Sequence, residues 1–316
     1  MVDVVALGEL LIDFAPIATD ESGYPTFAAK PGGGVCNYLA ALTAYGASTA
    51  FIGKVGSDTF GALLIKTLSD MGIEIRGIIQ DPSVFTTLAF VTLDSLGDRE
   101  FSFSRKPGAD TCLTFEEVDL RLIADAKIFH FSTVSLTNNP AREATQKAVE
   151  YAKKNGKLIT FDPNLRCSLW DDLSEAAEHI LWGLKQADIV KISSEEIEFL
   201  WGCSNEEAGI KLIYEFGVRL AMLTLGMDGS VLINKNAAAK AACPPVKAVD
   251  TTGAGDIFGG SAVSRFLKYG KSPEELTQLE LAAIAEFATV AASLSTQILG
   301  GIPSIPAIEE VNKIAR

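Results

Sequence analysis

Asp256 closes the segment DTTGAGD (250–256), which packs two hydroxyls, two glycines and a second carboxylate into one turn. The residues that follow, IFGGSAVSRFLKY (257–269), place apolar groups at Ile257, Val263, Phe266, Leu267 and Tyr269, a spacing that predicts a helix with one buried face. The first amides of a helix have no intrahelical acceptor, so the N–H groups of Gly253, Ala254 and Gly255 are expected to form an anion site, with phosphate the usual anion. A carboxylate beside a phosphate needs a chemical reason. Asp256 would take the proton from an attacking hydroxyl while those amides hold the charge of a transferring phosphoryl group. Read alone, the segment also allows Thr252 as an N-cap and Asp256 as a first-turn carboxylate stabilised by the helix dipole, with no further role.

The elements that would position this turn alternate along the chain. Short apolar runs at 4–8, 50–56, 127–132, 157–162, 188–193 and 219–226 read as buried strands. Helical patterns at 34–47, 59–71, 139–155, 171–186 and 194–201 follow most of them. Repeated strand–helix units with continuously apolar strands predict an α/β fold: a doubly wound, mostly parallel sheet covered by helices on both faces. Residues 11–30 and 84–105 break the rhythm. They read as strands with turns and no helix between, and LAFVTLDSLGDREFSFSR reads as a hairpin turning near Ser95–Asp98. These segments are assigned to a small antiparallel β-lid within one domain spanning residues 1–316.

Composition narrows the function classes. The chain has 316 residues, 48% hydrophobic and 21% charged, with a formal net charge of −13. That balance argues against nucleic acid and anionic membrane surfaces, which attract basic patches. The five cysteines stand singly with no C-x-x-C spacing, and the two histidines do not cluster, so a zinc site and a disulfide framework are not expected. The longest apolar stretch, 281–294, is interrupted by Glu286 and is too short for a bilayer, and the start of the chain reads as a strand rather than a leader. A soluble cytoplasmic protein is expected. No G-x-G-x-x-G follows the first strand. Gly270–Lys271–Ser272 resembles the end of a P-loop, but Arg265 stands where its leading glycine should be. DTTGAGD is left as the phosphate site.

PGGGVCNYLAALTAYGA (31–47) together with DTTGAGD resembles the two signature segments of the ribokinase/fructokinase family of carbohydrate kinases. The resemblance extends in order through GELLIDF (8–14), FDPNLR (161–166), KISSEEIEFL (191–200), TLGMDG (224–229) and GGIPSIP (300–306). It covers essentially the whole chain, and within the family the sequence is most similar to the bacterial fructokinases. It implies a ribokinase-like fold with a β-lid, ATP as co-substrate, Mg²⁺, and a monovalent-cation site that K⁺ would fill.

The resemblance also assigns residues. Asp13, Gly33, Gly34, Asn37, Arg105 and Arg166 would face the sugar, with Asp256 as base. Thr224, Gly226 and Gly229, with Gly253 and Gly255, would face the nucleotide. Glu196 matches the glutamate of the family's N-x-x-E motif and would organise Mg²⁺ through water, although Ser193 stands at the asparagine position. Asp250 and Thr252, with carbonyls around Ser295–Ser304, match the cation site. Taken without the family, Asp13 could equally cap a strand end, Asn37 contact its own helix, and SSEEIEF be a capped helix start.

The activity implied is in-line transfer from ATP to a primary hydroxyl of an unphosphorylated sugar, fructose first. The glycine-rich turn GGGVCN carries no lysine for a second phosphate. The rival substrate is 2-keto-3-deoxygluconate, whose carboxylate would suit Arg105 with Arg166. A silent sugar- or nucleotide-binding protein on the same scaffold is the alternative from another class. The lid carries apolar runs (Leu88–Val91, Phe101, Phe103), and pairing with the lid of a second chain would bury them, giving a homodimer.

Overall fold

The computed structural model describes residues 2–93 and 99–315. Its strands are β1 (Val2–Leu7), β2 (Leu11–Thr19), β3 (Pro25–Gly32), β4 (Thr49–Gly56), β5 (Glu74–Asp81), β6 (Leu88–Leu93), β7 (Arg99–Ser104), β8 (Ala126–Ser132), β9 (Leu158–Asp162), β10 (Ile189–Ser193), β11 (Leu220–Thr224), β12 (Ser230–Asn234) and β13 (Ala238–Ala241). Nine of them form one sheet in the order β13-β12-β11-β10-β9-β8-β1-β4-β5. From β11 to β5 every pairing is parallel; β12 and β13 add an antiparallel hairpin at one edge.

The central strands are mostly apolar because both faces are covered. Along β1, Val5 and Leu7 enter a core with Phe129, Phe131 and Phe161, whereas Val4 and Ala6 enter the opposite core with Leu39, Phe51 and Phe258. Alternation therefore sends consecutive residues into two different hydrophobic layers, and neither set can be polar. The expected strands and helices are present with boundaries shifted by a few residues. Three strands lie outside the expected set. β5 holds Glu74, Arg76 and Asp81 on an edge, while β12 and β13 are short.

Chain order reverses at β1, which lies between β4 and β8. Loops at the C-terminal ends of the strands on either side splay apart there, the general place for a ligand in an open α/β sheet. The lid stands over that end as a second sheet, β3-β2-β6-β7. Two antiparallel hairpins, β2–β3 and β6–β7, meet through a parallel pairing of β2 with β6. The hairpin turn expected near Ser95–Asp98 lies outside the described residues.

Parity along these strands divides the lid into two faces. Phe14 pairs with Phe90, and with Phe27 they form an aromatic cluster on one face, Phe14 and Phe90 stacked at 5.0 Å. Asp13 pairs with Ala89, which pairs with Phe103, on the other face, and Phe101 lies on that side too. Phe101 and Phe103 line the cleft beneath the lid. That corrects their expected place on a subunit interface, since the pairing register turns them inward.

Candidate active site

The anion turn is built as a helix start. The helix Ala254–Tyr269 is capped by the backbone of Gly253, with no side-chain cap, so Thr252 is not its N-cap. Asp250 is buried and holds the turn from outside: its Oδ1 accepts the N–H of Thr252 at 2.7 Å and its Oδ2 that of Gly300 at 2.8 Å. The N–H of Ala254 donates to the carbonyl of Thr251 at 3.2 Å, which corrects the expectation of three bare amides. Those of Gly253 and Gly255 make no backbone hydrogen bond among the described residues.

Asp256 is the third residue of this helix, 6% exposed. Its two oxygens each accept one amide N–H, Oδ2 from Asn37 Nδ2 at 2.9 Å and Oδ1 from Asn164 Nδ2 at 2.8 Å. The two asparagines fix the plane of the carboxylate and leave lone pairs for a substrate hydroxyl. Burial pushes the Asp256 pKa up, against Arg166, Asn37, Lys191 and Asn164, which pull it down. A base raised toward the working pH is the useful kind.

Asn37 belongs to the helix Gly34–Ala44, which starts directly after Gly33 at φ 114°. A Cβ on Gly33 would come within 2.5 Å of the Glu9 carbonyl oxygen, and one on Gly34 within 2.3 Å of Asn164 Nδ2. The glycine-rich turn is thus what lets the helix reach Asp256. Asn164 follows β9 in the turn Asp162–Pro163–Asn164, where its N–H donates to Asp162 Oδ1 at 3.0 Å and its φ is 44°. Asparagine tolerates that left-handed conformation better than most residues. The same Asp162 oxygen accepts from Lys191 Nζ, 3.2 Å away on the neighbouring strand β10. Burial works to lower the pKa of Lys191, but Asp162, Glu196 and Asp256 outweigh it and hold the amine charged.

A cleft of about 520 Å³ under the lid is lined by Asp13, Gly33, Gly34, Asn37, Arg166, Gly253, Gly255 and Asp256. Of the expected sugar-side residues only Arg105 does not line it. Its Nε donates to Asp110 at 2.8 Å, one terminal nitrogen to Thr137 Oγ1 at 2.7 Å and the other to the Val134 carbonyl at 2.9 Å. Buried Asp110 needs that cation, so Arg105 fastens the lid base and does not offer its fork to a ligand. Arg166 stays at the cleft, its guanidinium 5.9 Å from the Phe101 ring centroid. Burial raises the Asp13 carboxyl to about 7, with Asp256 and Asp250 adding to the rise and Arg166 opposing it.

A second cavity of about 630 Å³ adjoins the first, lined by Thr224, Gly226, Gly229 and apolar groups including Met227, Pro244, Pro245 and Val246. The two share Lys191, Ser193, Glu195, Thr251 and Gly255 as a common wall. Glu196, on the cleft side, closes a capping box: its Oε2 accepts the N–H of Ser193 at 2.8 Å, and Ser193 Oγ accepts that of Glu196. Its Oε1 reaches the N–H of Leu165 at 2.9 Å. The capped-helix reading and the site reading of Glu196 therefore describe the same contacts. No group of three or more His, Cys, Asp or Glu side chains suited to hold a metal occurs among the described residues. A carboxylate with one lone pair left on each oxygen fits a hydrated Mg²⁺ better than direct ligation.

Glu9, Asn164 and Lys191 line the cleft as well, and residue-level reading did not select them. The signals were present: a lysine inside the apolar run DIVKIS, an asparagine two residues after the aspartate that ends LITFD, and a glutamate just after the first apolar run.

A carboxylate held by two amides, beside bare N–H groups and on a seam between a polar cleft and an apolar cavity, is what phosphoryl transfer to a small hydroxyl compound requires. The model of the pfkB family of carbohydrate kinases matches residues 1–308, and the chain belongs to that family. It is a sugar kinase with a ribokinase-like fold. Fructokinase-1 of Zea mays is 39% identical over 311 residues, covering 98% of this chain and 96% of that protein. A fructokinase of Xylella fastidiosa with bound ATP superposes with a TM-score of 0.89 at 28% identity, over 98% of this chain and 97% of that one. A double mutant of the Vibrio cholerae fructokinase, in a form with fructose, ADP and potassium ion bound, superposes with a TM-score of 0.88 at 29% identity, over 100% and 99% of the two chains.

Proposed function

We propose that this kinase transfers the γ-phosphoryl group of ATP to a primary hydroxyl of fructose, giving fructose 6-phosphate. The observation that carries the reading is Asp256, oriented by Asn37 and Asn164 at 2.9 and 2.8 Å in a cleft lined by the further carboxylates Glu9 and Asp13. Asp256 accepts the proton of the attacking hydroxyl. The amides of Gly253 and Gly255 and the charged Lys191 face the developing phosphoryl charge. The lid keeps bulk water from competing as acceptor. Mg²⁺, when bound with ATP, neutralises phosphate charge, and Glu196 would hold its water shell.

The carboxylates also support fructose over acidic substrates. A cleft rich in acceptors suits a neutral polyol and repels an anionic one. With Arg105 engaged by Asp110, 2-keto-3-deoxygluconate would lose half of the arginine pair invoked for its carboxylate. ADP release over a panel of fructose, 2-keto-3-deoxygluconate, ribose and fructose 6-phosphate tests the reading. Fructose should give the highest kcat/KM. No ADP release with any sugar, despite ATP binding, would mark a silent binder.

Three further parts belong to the proposal. Asp250 and Thr252, with carbonyl oxygens around Ser295 and Ser304, would hold K⁺ beside the anion turn, and replacing K⁺ by tetramethylammonium should lower kcat. The cytoplasm is the proposed compartment; no helix among the described residues is long and apolar enough to cross a membrane. The protein is proposed to be a homodimer through the outer lid face, where Phe14, Phe27 and Phe90 are only half-buried and β3 and β7 are open edges. Light scattering should give twice the chain mass, and Phe90→Asp should return it to one. A dimer that survives Phe90→Asp would place the interface elsewhere.

A further inference from the structure

Asp162 ends β9, is 5% exposed, and among the described residues lines neither cavity. It nevertheless stands between two working parts of the site. Its Oδ1 accepts the N–H of Asn164 at 3.0 Å and Lys191 Nζ at 3.2 Å, two donors on one oxygen. The first bond closes the turn Asp162–Pro163–Asn164, whose other side is fastened by Thr133 Oγ1 donating to the Pro163 carbonyl. Asn164 stands in that turn at φ 44°, a left-handed conformation that asparagine tolerates and that its surroundings must hold. So held, its Nδ2 reaches Asp256 Oδ1 at 2.8 Å. The second bond comes from β10, whose Val190 pairs with Phe161, so that Lys191 falls beside Asp162. The amine lies against the anion turn, where a Cβ on Gly255 would be 2.9 Å from Nζ.

We infer that Asp162 is a positioning residue for phosphoryl transfer: its Oδ1 ties the asparagine that aims the base to the lysine that faces the phosphoryl group. An ionised carboxylate oxygen can accept from both at once, and each donor restrains it for the other. The inference rests on Asp256 as the base and adds what keeps that base aimed. Asn37 is set by its own helix, whereas Asn164 stands in a turn with no helix or strand of its own to hold it. The competing role is an ion pair alone, with Asp162 serving only to neutralise the buried Lys191. That role needs a charge but no particular turn, and a carboxylate that did not meet the Asn164 N–H would fill it equally.

The two roles separate in a double-mutant cycle on kcat, measured by ADP release with fructose. Asp162→Ala removes the shared acceptor. Asn164→Gly removes the amide on Asp256 and leaves a residue that adopts positive φ freely, so nothing remains there for Asp162 to aim. Asp162→Ala should lower kcat about 100-fold in the wild-type background and about 10-fold or less beside Asn164→Gly, a coupling expected of residues in one network. The same factor in both backgrounds would leave only the ion pair and overturn the inference, as would unchanged kcat in Asp162→Ala. If Asp162→Ala does not unfold cooperatively, Asp162→Asn carries the same cycle. It is nearly isosteric and loses the charge on which both donors rely, so a loss of about 10-fold should shrink to about 2-fold or less beside Asn164→Gly. A wild type inert toward fructose but active on another sugar would overturn the fructose reading, and the cycle would then be run on that sugar. Wild-type turnover in Asp256→Asn would overturn the base reading and this inference together; a base upheld, with losses that multiply in full, overturns this inference alone.

Discussion

The two cavities that meet at Lys191 are built from different materials. The cleft under the lid draws side-chain charge from several elements: Glu9 after β1, Asp13 in β2, Arg166 after β9, Lys191 in β10 and Asp256 at a helix start. The neighbouring cavity is walled by Met227, Pro244, Pro245, Val246, Ala248 and Phe258, with small residues Thr224, Gly226 and Gly229. A polyol offers only hydroxyls and must be met by directed acceptors and donors. A nucleotide base offers a flat apolar face, for which shape suffices. With the sugar proposed for the cleft and ATP for the neighbouring cavity, charge changes should act on sugar kinetics, and changes of volume or backbone on those of ATP.

The largest test of that division is Asp256→Asn, nearly isosteric but unable to take a proton. It should lower kcat by about 10²–10⁴ while both KM values stay within a few-fold. Near-wild-type turnover in an ADP-release assay would return Asp256 to a helix-dipole role. Lys191 lies on the shared wall, so Lys191→Met should break the division. It should cost about 10²–10³ in kcat, the range for losing one preorganised electrostatic contact, and raise KM for both substrates. An effect on the sugar alone would confine Lys191 to the cleft.

Two single-sided variants come next. Asp13→Ala should cost about 1.5–3 kcal/mol in sugar recognition, read as KM for fructose with KM for ATP unmoved. Equal effects on both would make Asp13 a structural residue at the strand start. Gly229→Ala should do the reverse. At φ 94° a Cβ there would lie 2.0 Å from the Ala241 carbonyl oxygen, so the loop against β13 must shift. Strain of that kind costs about 1–3 kcal/mol and should appear in KM for ATP and in the melting temperature.

The last test is pH. Burial raises the Asp13 and Glu9 carboxyls from the ordinary carboxylate range, each to about 7. Their folded-state pKa values lie above the unfolded ones, so between about pH 4 and 7 the native protein binds more protons than the unfolded chain. The stability this gives is fully present below the unfolded pKa values and is lost as pH rises through about 7. Sugar recognition by ionised Asp13 runs the other way, rising over the same window. Thermal melts and kcat/KM for fructose measured from pH 5 to 8 should thus move in opposite directions, with KM for ATP flat. Parallel curves would mean that the cleft carboxylates do not titrate there.

What the sequence determined by itself is the part written in local geometry. Apolar runs and 3.6-residue patterns set the strand–helix order, and two glycine-rich turns marked helix starts, the one at DTTGAGD with amides expected to meet an anion. The family resemblance then joined Asp13, Asn37, Arg166 and Asp256 to those turns, and all of them line one cleft. The tertiary structure decided what depends on partners far away in the chain. Arg105 and Arg166 are equivalent as letters, yet buried Asp110 takes the first and leaves the second at the cleft. Lys191 reads as a blemish in an apolar strand until parallel pairing sets it 3.2 Å from Asp162 and against the anion turn. Register likewise decided which lid phenylalanines face the cleft, because moving one residue along a strand exchanges the faces. Burial and ion pairing are properties of the assembled layers, so they become visible only when the strands are side by side.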